Sequence, residues 1–200
     1  MIRIVIAEDQ AMLRGALASL LSLEDDLDVV GTAEDGDEGM QLVSELKPDV
    51  LLTDIEMPKR SGIDIAASIH EQGLATRVLV VTTFARPGYL QRAMQAGVSG
   101  YVLKDASSDE LAGAIRTVHS GQRYVPGELA SLAWTTPDPL STRERQVLRL
   151  AEAGMINKQI AAQLDLSVGT VRNYLADAMQ KLAVNNRVEA FRKARDLGWL

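Results

Sequence analysis

The chain has 200 residues, of which 46% are apolar and 24% charged, with no cysteine and a net charge of −6. That length suits one or two domains with their own cores, and the absence of cysteine excludes disulfides, thiolate metal sites and cysteine nucleophiles. No apolar run reaches the roughly 18 residues of a membrane span, and the N-terminus enters a strand without a signal-peptide layout, so a soluble, cytoplasmic protein without a membrane partner is expected.

Strand and helix patterns alternate through residues 1–120. Arg3–Ala7 is an almost continuous apolar run, read as a buried strand. Leu13, Ala16, Leu17, Leu20 and Leu21 follow at helical spacing. Leu27–Val30 predicts a second strand, and Met40, Val43 and Leu46 a second helix. Val50–Thr53 is the third strand, with a helix near Ile63–His70 behind it. Val78–Val81 and Tyr101–Leu103 supply the fourth and fifth strands. The helices that follow them lie near Gly88–Ala96 and along Leu111, Ile115 and Val118. Five repeats of strand then helix predict a doubly wound parallel sheet with helices on both faces.

Strands one, three, four and five end in Glu8-Asp9, Asp54, Thr82-Thr83 and Lys104. In such a sheet the carboxyl ends of the central strands converge on one crevice, which would bring three carboxylates and a lysine together. Oxygen ligands without cysteine or a nearby histidine favour a hard cation, Mg²⁺ kept partly hydrated. The Asp54 carboxylate can serve as a nucleophile toward a phosphoryl group, with Lys104 and the Thr82 hydroxyl positioned for its oxygens. Each residue alone has a plainer reading: Asp54 or Glu8-Asp9 as a turn cap, Thr82 as a β-branched strand residue, Lys104 as a solvated turn. Their occurrence at successive strand ends favours a site.

Residues 121–139 contain Pro126-Gly127 and Thr135-Thr136-Pro137-Asp138-Pro139, breakers that mark a linker. Leu129, Leu132, Ala133 and Trp134 within it fit either a short helix or a segment docked on one of the domains. Charge divides along the same line, with 19 acidic and 10 basic side chains in residues 1–120 but 6 and 10 in residues 140–200. An acidic front suits a cation and a basic back suits a phosphate backbone.

From Leu140 the pattern is wholly helical. Ser141-Thr142-Arg143-Glu144 forms a capping box that opens a helix with Val147, Leu148 and Ala151 inward. Gly154 ends it, and Asn157 starts a short second helix along Ile160, Ala161 and Leu164. Asp165-Leu166-Ser167 is a tight connection with Ser167 as N-cap. Val168–Leu182 is the third helix, burying Val171, Leu175, Met179 and Leu182, and Asn186 with Glu189 caps a last helix through Leu197. Two helices joined by a three-residue turn make a helix-turn-helix, whose second helix enters the major groove. Thr170, Arg172 and Asn173 are then candidates to meet base edges, while Lys158, Lys181 and Arg187 would contact phosphates. The alternative for this segment is a four-helix bundle with a solvated basic face.

Residues 1–120 resemble the receiver domain of bacterial two-component response regulators, through Ile6-Ala7-Glu8-Asp9, Asp54-Ile55-Glu56-Met57-Pro58, Val81-Thr82 and Gly100-Tyr101-Val102-Leu103-Lys104. The resemblance implies a flavodoxin-like fold, Asp54 as phosphoacceptor, and Mg²⁺ held by Glu8, Asp9, Asp54 and the Glu56 main-chain carbonyl. It also implies Thr82 and Tyr101 as a switch pair drawn inward on phosphorylation, and Lys104 as the cation paired with the phosphoryl group. Residues 140–200 resemble the LuxR-type (NarL/FixJ) DNA-binding domain, through Leu140-Ser141-Thr142-Arg143-Glu144, Asn157-Lys158-Gln159-Ile160-Ala161, Thr170-Val171-Arg172-Asn173-Tyr174 and Asn186-Arg187-Val188-Glu189-Ala190. By position, Arg172 and Asn173 match that family's base-contacting pair, whereas Ala176-Asp177 stand where a basic residue is common. The stretch Thr83-Phe84-Ala85-Arg86-Pro87-Gly88-Tyr89 is similar to the desaturase-controlling regulators of Gram-positive bacteria.

A regulator of this class implies a sensor histidine kinase, double-stranded promoter DNA, RNA polymerase and, on phosphorylation, a second copy of the chain as partners, with no enzymatic turnover of its own. Two rivals stand beside it. A phosphatase using Asp54 as nucleophile would usually carry a second aspartate where Glu56 stands. An atypical DNA-binding receiver protein would act without control by phosphorylation, but such proteins lack an acidic partner or the lysine, and both are present.

Overall fold

The computed structural model describes residues 1–83, 87–127, 130 and 138–200. The 84–86 part of the Thr83–Tyr89 stretch, and the short helix or docked segment considered at Leu129, Leu132, Ala133 and Trp134, lie outside the described residues. The chain forms two compact units, the first built on a sheet and the second wholly helical.

In the sheet unit strands and helices alternate as β1 (Ile2–Ala7), α1 (Ala11–Leu21), β2 (Leu27–Ala33), α2 (Gly36–Leu46), β3 (Val50–Thr53), α3 (Gly62–Glu71), β4 (Arg77–Thr82), α4 (Pro87–Gln95), β5 (Gly100–Leu103) and α5 (Ser108–His119). The strands are parallel, in the order β2-β1-β3-β4-β5. Near-continuous apolar sequence explains why β1, β3 and β4 are central: a strand covered by helices on both faces buries every side chain. One face is formed by Ile4, Ile6, Leu52, Leu79, Val81 and Val102 and packs against Leu17 and Leu21 of α1 and Leu111, Ile115 and Val118 of α5. Helices α2 and α3 contact each other, and Gly39 of α2 lies close to Ala7 and Ile65, so this pair covers the opposite face.

The expected second strand ended at Val30, but β2 continues to Ala33. Gly31, whose type reads as a breaker, is accommodated by an irregularity in which Ile4 pairs with Val29 and Val5 with Gly31. One extra residue in a strand is a bulge, and glycine favours it. Asp35, Ser61 and Ser107 then cap α2, α3 and α5 through their side-chain oxygens, which satisfies donors that a helix start leaves orphaned.

The helical unit comprises α6 (Thr142–Glu152), α7 (Asn157–Leu164), α8 (Val168–Lys181) and α9 (Arg187–Asp196). The capping box at Ser141 and Glu144 is formed in both directions. Asp165 takes a left-handed conformation, φ 54°, to close α7, and the Ser167 hydroxyl accepts from the Thr170 amide at 3.0 Å to open α8. Val147, Leu148, Ile160, Val171, Ala178, Ala190 and Ala194 are fully buried in one core. Ala178 takes the innermost place beside the expected Met179, which is half-buried at the edge. No described helix is long and apolar enough to cross a membrane.

Two glycines set the loop after β3. A Cβ on Gly62 would lie 2.0 Å from the Asp54 carbonyl oxygen, and one on Gly36 1.9 Å from the Arg60 carbonyl oxygen. The chain therefore doubles back on Asp54 and lies directly over the start of α2. Gly62→Ala must push α3 off the Asp54 main chain. We expect a loss of about 1–3 kcal/mol, read as a lower urea midpoint of the sheet unit with an unchanged slope.

Candidate functional site

With β1 joined to β2 on one side and β3 on the other, the strand order reverses at β1, and the crevice of the sheet opens there. Main-chain bonds from Asp54 N to Ala7 O, 3.0 Å, and from Lys104 N to Thr82 O, 2.9 Å, hold the strand ends level with one another. Glu8, Asp54, Thr82 and Lys104 are consequently brought to one end of the sheet, as the sequence predicted.

The geometry centres on one cation. Lys104 Nζ lies 2.8 Å from Glu8 Oε2 and 2.8 Å from Asp54 Oδ2, and all three side chains are at most 8% exposed. The Ile55 amide donates to Asp54 Oδ1 at 2.6 Å and the Gln10 amide to Glu8 Oε1 at 3.2 Å, so both carboxylates are fixed from two sides. Burial pushes the Glu8 carboxyl above its ordinary range against the opposing effect of Lys104. Burial also disfavours the Lys104 charge, but the hydrogen bonds to Asp54 and Glu8 outweigh it and hold the ammonium above its usual value.

Asp9 is exposed at the mouth, and one oxygen each of Glu8, Asp9 and Asp54 lie within 4.8 Å of one another. Three carboxylates against one ammonium leave two negative charges in excess. An all-oxygen donor set with that imbalance and one solvent-facing member fits a hard, partly hydrated divalent cation. Glu56 stands exposed in the loop directly after Asp54 and Ile55. Thr82 is fully buried, and so is Tyr101, which therefore holds the inward position that was expected only after phosphorylation. The site's outer support was missed by sequence reasoning. Lys59, in a left-handed conformation with φ 66°, places its ammonium 2.5 Å from Asp35, the cap of α2. The only sequence trace of it is an aspartate at a helix start and a lysine 24 residues away.

On the helical unit, Arg172 and Asn173 are exposed on the first turns of α8, and Lys158 is exposed at the start of α7. Thr170 is half-buried, with its hydroxyl 2.8 Å from that of Ser167, so it serves the cap of α8. Arg172 and Arg187 line one groove of about 350 Å³ together with Asn157, Asn185 and Asn186. Asn157 and Asn185 were not singled out from sequence, because asparagine near a helix start reads as a cap. Lys181, expected among the phosphate contacts, is paired within the helical unit. Its ammonium sits 2.8 and 2.9 Å from the two oxygens of Glu144, a carboxylate buried in the start of α6.

Known proteins match both units. Residues 4–116 match the family model of the response regulator receiver domain, and residues 138–194 that of the bacterial regulatory proteins of the luxR family. The transcriptional regulatory protein YvfU of Bacillus subtilis is 48% identical over 200 residues, all of both chains. The transcriptional regulatory protein DesR of the same organism is 47% identical over 199 residues, covering 100% of this chain and 99% of the relative. Among solved structures, the response regulator ChrA of a heme-sensing two-component system is similar with TM-score 0.59 and 32% identity over 100% of this chain and 98% of that one. The RcsB–DNA complex is similar with TM-score 0.67 and 26% identity, covering 98% of each chain.

The Glu144 pair carries a pH signature. Burial raises the Glu144 carboxyl, but the hydrogen bonds from Lys181 and the Ser141 amide outweigh it and leave it below the ordinary glutamate range. A depressed folded-state pKa means stability that is present above the unfolded value and lost as pH falls through the folded one. Glu144→Gln should therefore cost about 1 kcal/mol at neutral pH, discounted for the half-exposed lysine. The gap should close as pH falls below the ordinary glutamate range. Urea unfolding in a Trp134→Phe background, where Trp199 in the helical core reports this unit, measures it.

Proposed function

The chain belongs to the response regulators that join a receiver domain to a luxR-family regulatory domain, and on that footing we propose that phosphorylation of Asp54 controls sequence-specific DNA binding by residues 140–200. Residues 1–120 act as the receiver, 121–139 as the linker and 140–200 as the output domain. The observation that carries this reading is the single ammonium of Lys104 shared between Glu8 and Asp54 at the switch point of the sheet.

A partner histidine kinase supplies the phosphoryl group. An Asp54 carboxylate oxygen attacks phosphorus; the new P–O bond forms as the P–N bond to the donor imidazole breaks, and its electron pair returns to the imidazole. Asp54 gives up no proton in this step. Lys104, already 2.8 Å from Asp54, follows the charge to the phosphoryl oxygens. The Thr82 hydroxyl donates to one of those oxygens. Glu8, Asp9, Asp54 and the Glu56 main-chain carbonyl would hold Mg²⁺, which when bound neutralises charge on the phosphoryl oxygens. Glu8 meanwhile retains Lys104 through its other contact, so the ammonium stays in the site as Asp54 is modified.

The gain of negative charge at Asp54 and the new bond from Thr82, with Tyr101 already seated inward, change the surface around β5, and receiver dimerisation follows. Two copies of α8 then address paired half-sites in promoter DNA, and RNA polymerase is the next partner. Arg172 and Asn173 read base edges; Lys158 and Arg187 hold phosphates. Exposed Asp177 further along α8 keeps phosphates from that part of the helix. A receiver-like DNA-binding protein that ignores phosphate is the alternative, and the intact set of Glu8, Asp9, Asp54, Thr82 and Lys104 speaks against it.

Intact mass after treatment with acetyl phosphate tests the switch. We expect one phosphoryl adduct on the wild type that requires Mg²⁺, is absent from Asp54→Asn and is strongly reduced in Lys104→Ala. No adduct under any condition would overturn the reading. The DNA contacts are tested on a duplex selected from a random pool by the phosphorylated chain. Arg187→Ala should lower the slope of log K against log salt by about 1 without changing sequence preference. Arg172→Ala should instead lose about 1–3 kcal/mol of discrimination against a substituted base pair.

A further inference from the structure

Beyond α5 the chain returns to the sheet. The Tyr101 amide donates to the Tyr124 carbonyl at 2.8 Å, and the Tyr124 amide donates to the Ser99 carbonyl at 3.2 Å. These two bonds flank Gly100 in an isolated parallel bridge. Gly100 makes room for it: a Cβ there would lie 2.6 Å from Leu79, 2.7 Å from Val118 and 3.3 Å from the Tyr124 carbonyl oxygen. The Tyr124 ring is half-buried against the core shared by the sheet and α5, and its hydroxyl donates to Glu110 Oε1 at 2.7 Å. One residue of the 121–139 stretch is thus fixed by three hydrogen bonds, and one of them comes from the residue assigned as the switch tyrosine.

From this geometry we infer that Tyr124 is the take-off point of the signal, hydrogen-bonded to β5 so that a shift of that strand is passed through the main chain into residues 121–139 and on to the DNA-binding unit. The inference rests on the phosphorylation reading above and adds the route. A strand edge covered by a passing segment is common and serves to hide unpaired donors and acceptors. Tyr124 differs from a plain cover in two ways. Its partner is a main-chain amide of β5 itself, in the strand that runs to Leu103, directly before Lys104. Its hydroxyl also ties it to Glu110 in the first turn of α5, so two neighbours of β5 hold one residue. A mere cover predicts a loss of stability on disruption; a take-off point predicts a loss of coupling.

The test uses the full chain as wild type, Tyr124→Phe, Tyr124→Pro and Asp54→Asn. Tyr124→Phe removes the Glu110 bond alone, and Tyr124→Pro removes the donor to Ser99, the Glu110 bond and the ring packing, leaving the carbonyl at position 124 without the anchors that hold it against the Tyr101 amide. Adduct formation with acetyl phosphate and Mg²⁺ is measured by intact mass, and affinity for the selected duplex is measured before and after. Both Tyr124 variants should take up the phosphoryl group as the wild type does. The wild type should gain on the order of tenfold in affinity, Tyr124→Phe less, and Tyr124→Pro less than about twofold. A Tyr124→Pro chain that takes the adduct and gains as much as the wild type would overturn the inference alone. No adduct or no gain in the wild type would remove the phosphorylation reading, and the inference with it. Should Tyr124→Pro fail to fold, amide hydrogen exchange in the wild type decides. Protection of the Tyr101 and Tyr124 amides must change together on phosphorylation, and unchanged protection overturns the route.

Discussion

The Lys104 ammonium between Glu8 and Asp54 is the contact on which the rest of the sheet unit depends. Two carboxylates at most 7% exposed, this close together, would repel each other strongly. One ammonium, itself only 8% exposed, makes the arrangement tolerable. Such a buried network is weak as a source of stability, because desolvation offsets most of its attraction. Its retention at the switch point of the sheet is better explained by poise. The charges are held apart from water in fixed positions, where one new anionic group changes the balance.

That placement follows from backbone geometry more than from the polar side chains. Ile4, Ile6, Leu52 and Leu79 are fully or almost fully buried and fix the strands in register. The register brings Ala7, Thr53, Val80 and Thr82 level with their neighbours. The polar ends then have no choice of position. Gly62 closes the loop onto Asp54, while Asp35 and Lys59 hold the far side of the same loop over α2. A side chain at position 62, or the loss of the Asp35 cap, would disturb the site without touching any of its charged groups.

What was legible in the sequence is what repeats or sits at a strand end. The apolar runs of β1, β3 and β4 and the 3.6-residue stripes of α1, α5 and α8 have periods, and the charged strand ends stand out against them. Contacts made by single residues across long separations have no period. Lys181 looked like a phosphate ligand because an exposed lysine near the end of a basic helix usually is one. The partner it has in the fold, Glu144, lies 37 residues away and already had a sufficient role as a cap. Gly31 looked like the end of β2 because a glycine's permissiveness reads as a break, whereas the fold uses it as a bulge beneath Leu42 and Leu46. Tyr124 lay in a stretch read as a linker, since one bridged residue leaves no alternation to find.

Strand β5 is short, four residues and so about 13 Å long, yet it carries a constraint at each end. Beyond its carboxyl end Lys104 meets Glu8 and Asp54, and the Lys104 amide is bonded to the Thr82 carbonyl. Near its amino end the Tyr101 amide is bonded to the Tyr124 carbonyl, with Gly100 beside it. On the phosphorylation reading proposed above, a charge added to Asp54 acts at the Lys104 end, while the opposite end is bonded to Tyr124, in the segment that follows α5. The same short strand that completes the acidic site thus also holds the segment that follows α5.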